Sequence, residues 1–539
     1  MTAAVVCACA ALFALIAATG VGGAGNAETG PAAGVKFGAN DDTGKYSADG
    51  GAVFFSQMAA TGLKQNVMTV RWKPSDPLTI PDREALDVAV PAAVAAGIEV
   101  VFAVYPYPPS EIEVGGVSHL AFASWLDGLA RAYPQVTTYI VGNEPNLNTF
   151  WRPQGGGGGR IFSAAQFGRF LAAGYDALKA VSPEITVLGV GSSPRGDRAP
   201  GLAGKSSPVH FLAALGAWYR ASLRPLPIMD GFSFHPYPNP SNFTVPLTFA
   251  YGWPNASVQE LHRIKQALWD AFDGTAQPTT LDGLKLYLDE VGWQVDTSFE
   301  PGYTDAENVK VTSEANQAAI YDGLVRYVVC DPDVAQLNFF GYYDERSRLG
   351  WQAALRRNDG SERASNAAVA AAIAETGGEC QGLLRSWRPL AKPAGAAVVF
   401  KPSTGLRAGA RSLSFVPTAA EDVTVTAGIV PAGTRAGEIV GLLGKAGSAV
   451  ANRRAELTVG GTLAARKRYV LAVALAAALN PERVSVFKSR PFTVAAGFRP
   501  GQACQPSRAA EYEADGFRCT NRARPATTRP RYRLALFRR

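Results

Sequence analysis

Residues 136–145, VTTYIVGNEP, combine a strand pattern with an abrupt polar end. β-Branched and aromatic residues fill the run up to Val141, and such residues favour a buried strand. Asn143 and Glu144 then bring an amide and a carboxylate to the point where the strand ends. Because Pro145 has no N–H to donate, it ends the hydrogen-bonded ladder and leaves Glu144 at the rim rather than within the sheet.

This apolar run is one of eight, and amphipathic segments such as residues 163–183 separate them. The runs predict strands at residues 34–40, 66–72, 97–108, 136–145, 185–193, 229–237, 284–293 and 334–344. They are nearly continuously apolar, which is typical of parallel strands covered on both faces. Eight strands with intervening helices predict an α/β fold, a (β/α)₈ TIM barrel over residues 34–385.

Beyond Trp387 the pattern changes to short strands of alternating polarity, separated by Gly, Pro and Asn. No helical periodicity intervenes, which predicts a small all-β sandwich as an accessory domain over residues 395–496. Residues 501–539 form a basic tail with nine arginines and three acidic residues, for which we expect little order. This tail carries most of the formal charge of +7. Since no basic recognition helix is present, the sequence argues against a nucleic-acid partner.

The N-terminal residues 1–27 have an apolar core followed by small residues, although no Lys or Arg precedes that core. This pattern predicts a signal peptide and a secreted or cell-envelope location. A single membrane anchor is the alternative. It is disfavoured because the run is shorter than the roughly 20 residues that span a bilayer, so we expect no stable membrane span.

Four cysteines follow the predicted leader: Cys330, Cys380, Cys504 and Cys519. An even number in an exported chain favours two disulfides. Of the three possible connectivities, we predict the one that joins sequence neighbours, Cys330–Cys380 and Cys504–Cys519. A zinc site is the weaker alternative, since no Cys-x-x-Cys follows the leader and the histidines are scattered.

The chemistry of a TIM barrel lies at the carboxyl ends of its strands. Glu144 is predicted at that end of strand four and Glu290 at that end of strand seven, so the two carboxylates can face one another. Glycosidic cleavage needs two such groups: one protonated, to supply a proton to the leaving oxygen, and one ionised, to attack or stabilise the anomeric carbon. The structural alternative is that each carboxylate pairs with an arginine.

The motifs GNEPN at residues 142–146 and LDEVGW at 288–293 resemble the signatures of glycoside hydrolase clan A, a group of retaining (β/α)₈ enzymes. Families 5 and 39 are the nearest, and the resemblance covers residues 34–365. It implies that Glu144 is the general acid/base, that Glu290 is the nucleophile and that Asn143 binds the substrate 2-hydroxyl. It implies no metal and no other cofactor.

Further residues take roles from the same resemblance. Tyr237 and Arg71 are expected to hold Glu290 ionised and to lower its carboxyl pKa. His235 is expected to line the site, a core histidine with both nitrogens satisfied being the alternative. Trp293 is expected to offer a sugar-stacking face. Tyr342 is a further substrate-binding candidate, with simple packing as the alternative. The chain departs from the family 5 pattern here, since Tyr342 and Tyr343 stand at the end of strand eight, where that family usually has a Trp.

Asp289 precedes Glu290, and strand alternation points consecutive side chains to opposite sides. We therefore expect only Glu290 to face the barrel mouth. The sequence predicts a secreted retaining glycosidase acting on an oligosaccharide, polysaccharide or glycoside. A non-catalytic carbohydrate-binding or cell-envelope scaffold protein is the alternative. The sugar, the linkage, the anomeric preference and the oligomeric state stay open.

Overall fold

A computed structural model of the chain describes residues 34–113, 117–156, 160–198, 204–238, 247, 250–401, 405–521 and 532–536. The predicted signal peptide at residues 1–27 lies outside these described residues. None of the helices within the described ranges is long and apolar enough to cross a bilayer.

Eight parallel strands pair in sequence order into a closed barrel. They are β1 Lys36–Asn40, β2 Gln65–Trp72, β3 Glu99–Pro106, β4 Thr138–Val141, β5 Thr186–Ser192, β6 Gly231–Phe234, β7 Lys285–Val291 and β8 Val334–Phe340. The β8 strand closes the barrel on β1, with Lys36 opposite Gln336 and Asn40 opposite Phe340. The prediction of a (β/α)₈ barrel is confirmed.

Helices on the outside of the barrel connect these strands. They are α1 Thr43–Tyr46, α2 Ala52–Thr61, α3 Arg83–Ala95, α4 Pro109–Glu113, α5 His119–Ala132, α6 Phe162–Val181, α7 Pro208–Ser222, α8 Leu261–Phe272, α9 Glu314–Val328 and α10 Ala364–Thr376. Serine side chains cap α5, α7 and α9: Ser118, Ser207 and Ser313 each accept a hydrogen bond from a first-turn N–H. Such caps satisfy donors that have no partner within the helix.

Apolar side chains fill both sides of the barrel sheet. Val67, Val101, Ala103, Ile140 and Leu188 form a small buried cluster of their own. A much larger core lies between the strands and the helical layer and includes Phe102, Phe122 and Leu212. Since successive strand residues face opposite sides, this double burial explains why the strands read as continuous apolar runs rather than as alternating ones.

Two antiparallel sheets follow the barrel. One contains β9 Ala397–Phe400, β10 Gly409–Thr418 and β13 Leu457–Leu463. The other contains β11 Val423–Pro431, β12 Gly444–Ala449, β14 Arg468–Ala477, β15 Val484–Lys488 and β16 Phe492–Thr493. The sheets share a core that includes Phe415, Val425 and Leu475. A short helix, α11 Ala436–Ile439, lies between β11 and β12. The predicted all-β sandwich is confirmed.

Ion pairs attach this sandwich to the barrel. Arg483, 4 % exposed, lies 3.2 Å from Asp270 of α8 and 2.5 Å from Glu421, which lies between β10 and β11 of the sandwich. Arg198, in the loop after β5, lies 2.6 Å from Asp422. Because a buried charge that loses its partner costs several kcal/mol, roughly 3–5, the Arg483 pairs hold the sandwich against α8.

The basic tail contains more structure than its composition indicates. A helix, α12 Ala509–Ala514, precedes a two-stranded sheet of β17 Phe517–Asn521 and β18 Tyr532–Leu536. Tyr512 and Leu534 are buried in a small cluster with Phe498 and Phe517. Residues 522–531 and 537–539 lie outside the described residues. We had expected little order in this tail. The described part is ordered because its aromatic residues, spread through an arginine-rich sequence, form a small core.

Both predicted disulfides are present, Cys330–Cys380 and Cys504–Cys519. The first joins the segment after α9 to the segment after α10 and closes a loop of 50 residues. On the chain-entropy estimate, this cross-link stabilises the fold by roughly 4 kcal/mol.

Replacing Cys330 and Cys380 by Ser together is expected to lower the free energy of unfolding of the barrel by up to about 4 kcal/mol. Urea unfolding followed by tryptophan fluorescence measures this effect, because all nine tryptophans precede residue 388 and therefore report on the barrel and the segment just after it. The matched control, Cys504 and Cys519 both replaced by Ser, should leave this transition in place. Equal urea midpoints for the first variant and the wild type would contradict the prediction.

Candidate active site

The carboxyl ends of the barrel strands surround a cleft of about 650 Å³. Five of the predicted site residues line it: Arg71, Asn143, Glu144, Tyr237 and Glu290. Aromatic residues line it as well, among them Tyr105, Phe340, Tyr343 and Trp351. The cleft therefore joins two carboxylates, an amide and apolar ring surfaces in one opening.

The backbone after β4 turns sharply to bring Glu144 into the cleft. Glu144 has a left-handed φ of 40°, and Gly142 has a φ of 117°. A Cβ on Gly142 would lie 2.7 Å from the Phe167 ring, so a side chain has no room there. The Glu144 N–H donates to the carbonyl oxygen of Gly191 at 2.7 Å. A left-handed non-glycine residue costs about 1–3 kcal/mol, and here this strained turn carries a cleft carboxylate.

Asn146 stabilises the same turn through buried hydrogen bonds. Its side chain is fully buried and donates to the carbonyl oxygens of Ser193 and Ser206. Its amide oxygen accepts the N–H of Ser193 at 2.9 Å. The second Asn of the GNEPN motif thus ties the loop after β4 to the loop after β5, which holds Glu144 in position.

Glu290 lies near the end of β7, where the pairing with β8 shifts register between Leu288 and Val291. Asn40 at the end of β1 donates to its Oε1 at 3.1 Å. Tyr237 donates its O–H to Oε2 at 3.2 Å. The Glu290 carboxyl group therefore has a side-chain donor at each oxygen, and 15 % of the side chain remains exposed to the cleft.

His235 connects the two glutamates from the interior. Its side chain is 1 % exposed, and its Nδ1 lies 3.2 Å from Oε1 of Glu144 and 3.4 Å from Oε2 of Glu290. These two carboxylate oxygens cannot lie farther apart than the sum of the two distances, about 6.6 Å. Carboxyl groups of retaining glycosidases are about 5–5.5 Å apart, and those of inverting ones about 6.5–9.5 Å.

Burial and the neighbouring charged groups shift the pKa values of Glu290 and His235. Burial raises the pKa of Glu290 to about 8, and the nearby His235 opposes this rise. Burial also disfavours the charged form of His235, but the carboxylates of Glu290 and Asp289 raise its pKa well above the usual value. The lowered pKa that the sequence led us to expect for Glu290 is therefore not found, because desolvation outweighs the donors around it.

Arg71 lines the cleft, but its contacts are with two tyrosines. Its Nε donates to the Tyr105 hydroxyl at 3.0 Å, and the guanidinium lies 5.0 Å from the centre of the Tyr107 ring. Burial raises the pKa of Tyr105 to about 12, against the influence of Arg71. The donors seen at Glu290 are Asn40 and Tyr237, so the contact that we expected between Arg71 and Glu290 is not present.

Trp293 and Tyr342 do not reach the cleft. Trp293 is 2 % exposed and packs edge-to-face against Tyr321, where the chain turns outward after β7. Tyr342 is fully buried and its hydroxyl contacts Thr61 and Arg356. Neither ring has a free face for a sugar, so this part of the expectation is corrected.

Trp351 and Tyr343 stand in the cleft instead. The Trp351 ring lies 5.1 Å from the Tyr237 ring and 5.3 Å from the Phe340 ring, on the loop after β8. The same loop is held from behind by Arg363, which is buried and pairs with Asp344 and Glu300. This salt-bridge cluster fixes the wall of the cleft that carries Trp351.

Our sequence reasoning did not single out Asn40 or Trp351 and set Asp289 aside. Asn40 ends β1, so the strand-end criterion could have found it. Trp351 lies in the loop after β8, nine residues beyond Tyr342, the position at which we had expected an aromatic ring to contact the sugar.

Within the described ranges, no group of three or more His, Cys, Asp or Glu side chains is arranged to hold a metal ion.

No protein-family model and no curated protein matches the chain. Similar solved structures include a family 39 glycoside hydrolase from the gut symbiont Bacteroides cellulosilyticus WH2, 16 % identical, with a TM-score of 0.41 and 79 % of each chain covered. Another is GH5_18 from Streptomyces cattleya in complex with GlcNAc, 16 % identical, with a TM-score of 0.46 and 67 % of this chain and 84 % of that chain covered.

A third is the exo-β-1,4-mannosidase Op5Man5 from Opitutaceae bacterium strain TAV5, 14 % identical, with a TM-score of 0.41 and 64 % of this chain and 60 % of that chain covered. At this level of identity and with TM-scores below 0.5, these likenesses carry no argument about function. The case for a function therefore depends on the cleft itself.

Proposed function

We propose that the protein is a retaining glycoside hydrolase that cleaves O-glycosidic bonds by double displacement. The observation that carries the proposal is that Glu144 and Glu290 both contact Nδ1 of His235. Oε1 of Glu144 and Oε2 of Glu290 therefore lie within about 6.6 Å of each other. Two carboxylates at this separation, both lining one cleft, can act on a single sugar ring.

In the first step, ionised Glu290 attacks the anomeric carbon and forms a glycosyl ester. The bond to the leaving oxygen breaks, and Glu144 gives that oxygen its proton. In the second step, Glu144 takes a proton from water, which attacks the anomeric carbon and releases Glu290. Two inversions restore the configuration of the substrate, and Glu144 ends protonated as it began.

The cleft also supplies groups to hold a sugar. Trp351 and Tyr343 offer ring surfaces against which the C–H faces of a pyranose can pack. Asn143 precedes Glu144 and lines the same opening, which places an amide near the proposed site of bond cleavage. We assign Asn143 to the 2-hydroxyl of the sugar and Trp351 to stacking, in place of Trp293.

The two disulfides support a location outside the cytosol, since such bonds persist in oxidising compartments. We therefore propose a secreted or envelope-associated enzyme whose substrate is an oligosaccharide, polysaccharide or glycoside. The sandwich has a packing role against the barrel in this proposal, through Arg483 and Asp270.

The test is a screen of aryl glycosides and purified polysaccharides with the full chain, followed by proton NMR of the first-formed anomer. We expect the product to have the same anomeric configuration as the substrate. Formation of the opposite anomer would refute the retaining mechanism. Sugar binding in calorimetry without release of a reducing end would favour a non-catalytic carbohydrate-binding protein.

Replacing Tyr237 by Phe is expected to change the pH dependence of kcat/KM. The active form of the Glu144–Glu290 pair carries one proton in all. With the pKa of Glu290 at about 8, the pair loses this proton, and the enzyme its activity, as the pH rises through that value. Removing the hydroxyl that donates to ionised Glu290 raises this pKa further. The alkaline limb should therefore shift upward by about one pH unit, and the maximum should fall about tenfold.

Hydrolysis rates of an aryl glycoside between pH 5 and pH 10 measure this shift. Tyr343→Phe is the matched control, because Tyr343 also lines the cleft but donates its hydroxyl to Gln57. Its alkaline limb should coincide with that of the wild type. If the limb of Tyr237→Phe also coincides, the hydrogen bond does not control the ionisation of Glu290.

A further inference from the structure

Asp289 is a buried carboxylate that the two proposed displacement steps do not use. It is 1 % exposed. Its Oδ1 accepts the Ser233 hydroxyl at 2.8 Å, and its Oδ2 lies 3.4 Å from Nε2 of His235. We expected Asp289 to point away from the mouth, and it does not line the cleft. It nevertheless reaches the same histidine as Glu290, from the opposite side of the ring.

Three carboxylates thus surround one imidazole. Glu144, which follows β4, and Glu290 of β7 face Nδ1, whereas Asp289 of β7 faces Nε2. On β5, the carbonyl oxygen of Ser192 accepts the backbone N–H of His235 at 3.0 Å and brings no charge. Tyr237, two residues beyond His235, directs its hydroxyl to Glu290. Among the described residues, the only charged partners in direct contact with the His235 ring are therefore acidic.

The chemistry of the ring nitrogens gives Asp289 a specific effect. An ionised carboxylate only accepts hydrogen bonds, so it requires an N–H at Nε2. A neutral imidazole with its proton at Nε2 would present a bare Nδ1 lone pair to Glu144 and Glu290. Ionised Glu290 repels such a lone pair, and a second proton at Nδ1 removes this conflict.

We propose that Asp289 is a positioning residue that acts through His235: it fixes the ring through Nε2 and keeps a protonated Nδ1 directed at the two glutamates. This inference rests on the proposed function of Glu144 and Glu290. A positive charge beside the two glutamates favours an ionised nucleophile in a buried site, and a fixed ring keeps its Nδ1 within contact of both carboxylates.

The replacement Asp289→Asn tests the inference, since it keeps the shape and removes the charge. An amide N–H can donate to a bare Nε2, so a neutral His235 with its proton on Nδ1 becomes possible. The ring should then lose its charge at a pH at least about one unit lower than in the wild type. NMR of the full chain labelled with ¹⁵N-histidine measures this titration, and His235→Gln assigns the signal.

The NMR readout needs no substrate, so it decides the inference even if the protein hydrolyses no glycoside. In the wild type we expect both ring nitrogens of His235 to be protonated at pH 7.5. A neutral wild-type ring at that pH would overturn the inference without any variant. Identical titration of His235 in the wild type and in Asp289→Asn would overturn it as well.

Kinetics supply the second readout, with the aryl glycoside found in the screen. We expect kcat/KM of Asp289→Asn to fall about 10- to 100-fold, as a misplaced catalytic group would produce. Ser233→Ala is the control, because it removes the other partner of Asp289 and leaves the carboxylate beside Nε2; its His235 should titrate as in the wild type. If His235 of Asp289→Asn loses its charge at a lower pH but kcat/KM is unchanged, catalysis does not depend on this positioning and the inference is overturned.

Discussion

Glu290→Ala is expected to lower kcat/KM for any glycoside substrate by at least about 10⁴-fold, because no nucleophile remains to form the glycosyl ester. Asn40 and Tyr237, which donate to the Glu290 oxygens, would then face an empty space of about one carboxyl group. A small anion can enter that space. Azide added to the variant should therefore restore part of the cleavage of an activated aryl glycoside, with release of the phenol.

The product of this rescue identifies the role of Glu290. Azide in the position of the carboxylate attacks from the face opposite the leaving group, so the glycosyl azide should have the inverted configuration. The configuration follows from NMR of the isolated product. Wild-type hydrolysis should not accelerate with azide. Glu184→Ala, which removes an exposed carboxylate just before β5 at the other end of the barrel, should behave like the wild type.

Unchanged hydrolysis by Glu290→Ala would refute the assignment of the nucleophile. A glycosyl azide with the configuration of the substrate would place Glu290 on the face of the leaving group and exchange the two roles. The experiment thus distinguishes three possible roles of Glu290: nucleophile, general acid/base, or no part in catalysis.

The barrel was predictable because its signals are local. Each strand is a short apolar run between amphipathic segments, and each predicted run matches one observed strand, although β2 begins one residue before its run, at Gln65. The run at residues 136–145 shows the limit, since the observed strand is only Thr138–Val141. Gly142 and Glu144 have the β-branched run before them but adopt positive φ angles. Strand composition therefore predicts that a strand is present. The turn that follows it is fixed by the Phe167 ring beside Gly142 and by the hydrogen bond from the Glu144 N–H to the Gly191 carbonyl oxygen.

Asp289 and Trp293 show what the strand period alone could not give. Alternation predicts that Asp289 and Glu290 point to opposite sides, yet both contact His235. Asp289 does so from behind the cleft wall, at Nε2, while Glu290 lies at Nδ1, and the pairing of β7 with β8 shifts register between Leu288 and Val291. The same local irregularity precedes Trp293, which packs into the outer core on Tyr321. Such a shift depends on pairing with β8, which no pattern within β7 encodes.

The ionisation of Glu290 was missed for a different reason. The sequence indicated donors around this carboxyl group, and Tyr237 is indeed one of them. The opposing factor is the burial of the carboxyl group, which only the assembled site provides. Motifs thus predict which groups meet, whereas the sign of a pKa shift depends on how deeply the fold buries them.

Glu144→Ala is expected to have effects that depend on the leaving group. For alkyl glycosides and natural glycans, whose leaving oxygens are strongly basic, kcat/KM should fall by about 10²–10⁴-fold because no acid protonates the oxygen. For dinitrophenyl glycosides, kcat/KM should stay near that of the wild type, since this phenolate leaves without a proton. Rates measured across a series of substituted phenols give the slope that distinguishes the two regimes.

The second step of the same variant supplies an independent check. Water now has no base to accept its proton, so the glycosyl ester on Glu290 should accumulate and the phenol should appear in a rapid burst followed by slow turnover. Azide needs no base and should accelerate that slow phase, giving a glycosyl azide with the configuration of the substrate. This outcome mirrors the inverted azide from Glu290→Ala. Equal losses for every leaving group, without a burst, would remove Glu144 from proton transfer and leave its strained backbone unexplained by catalysis.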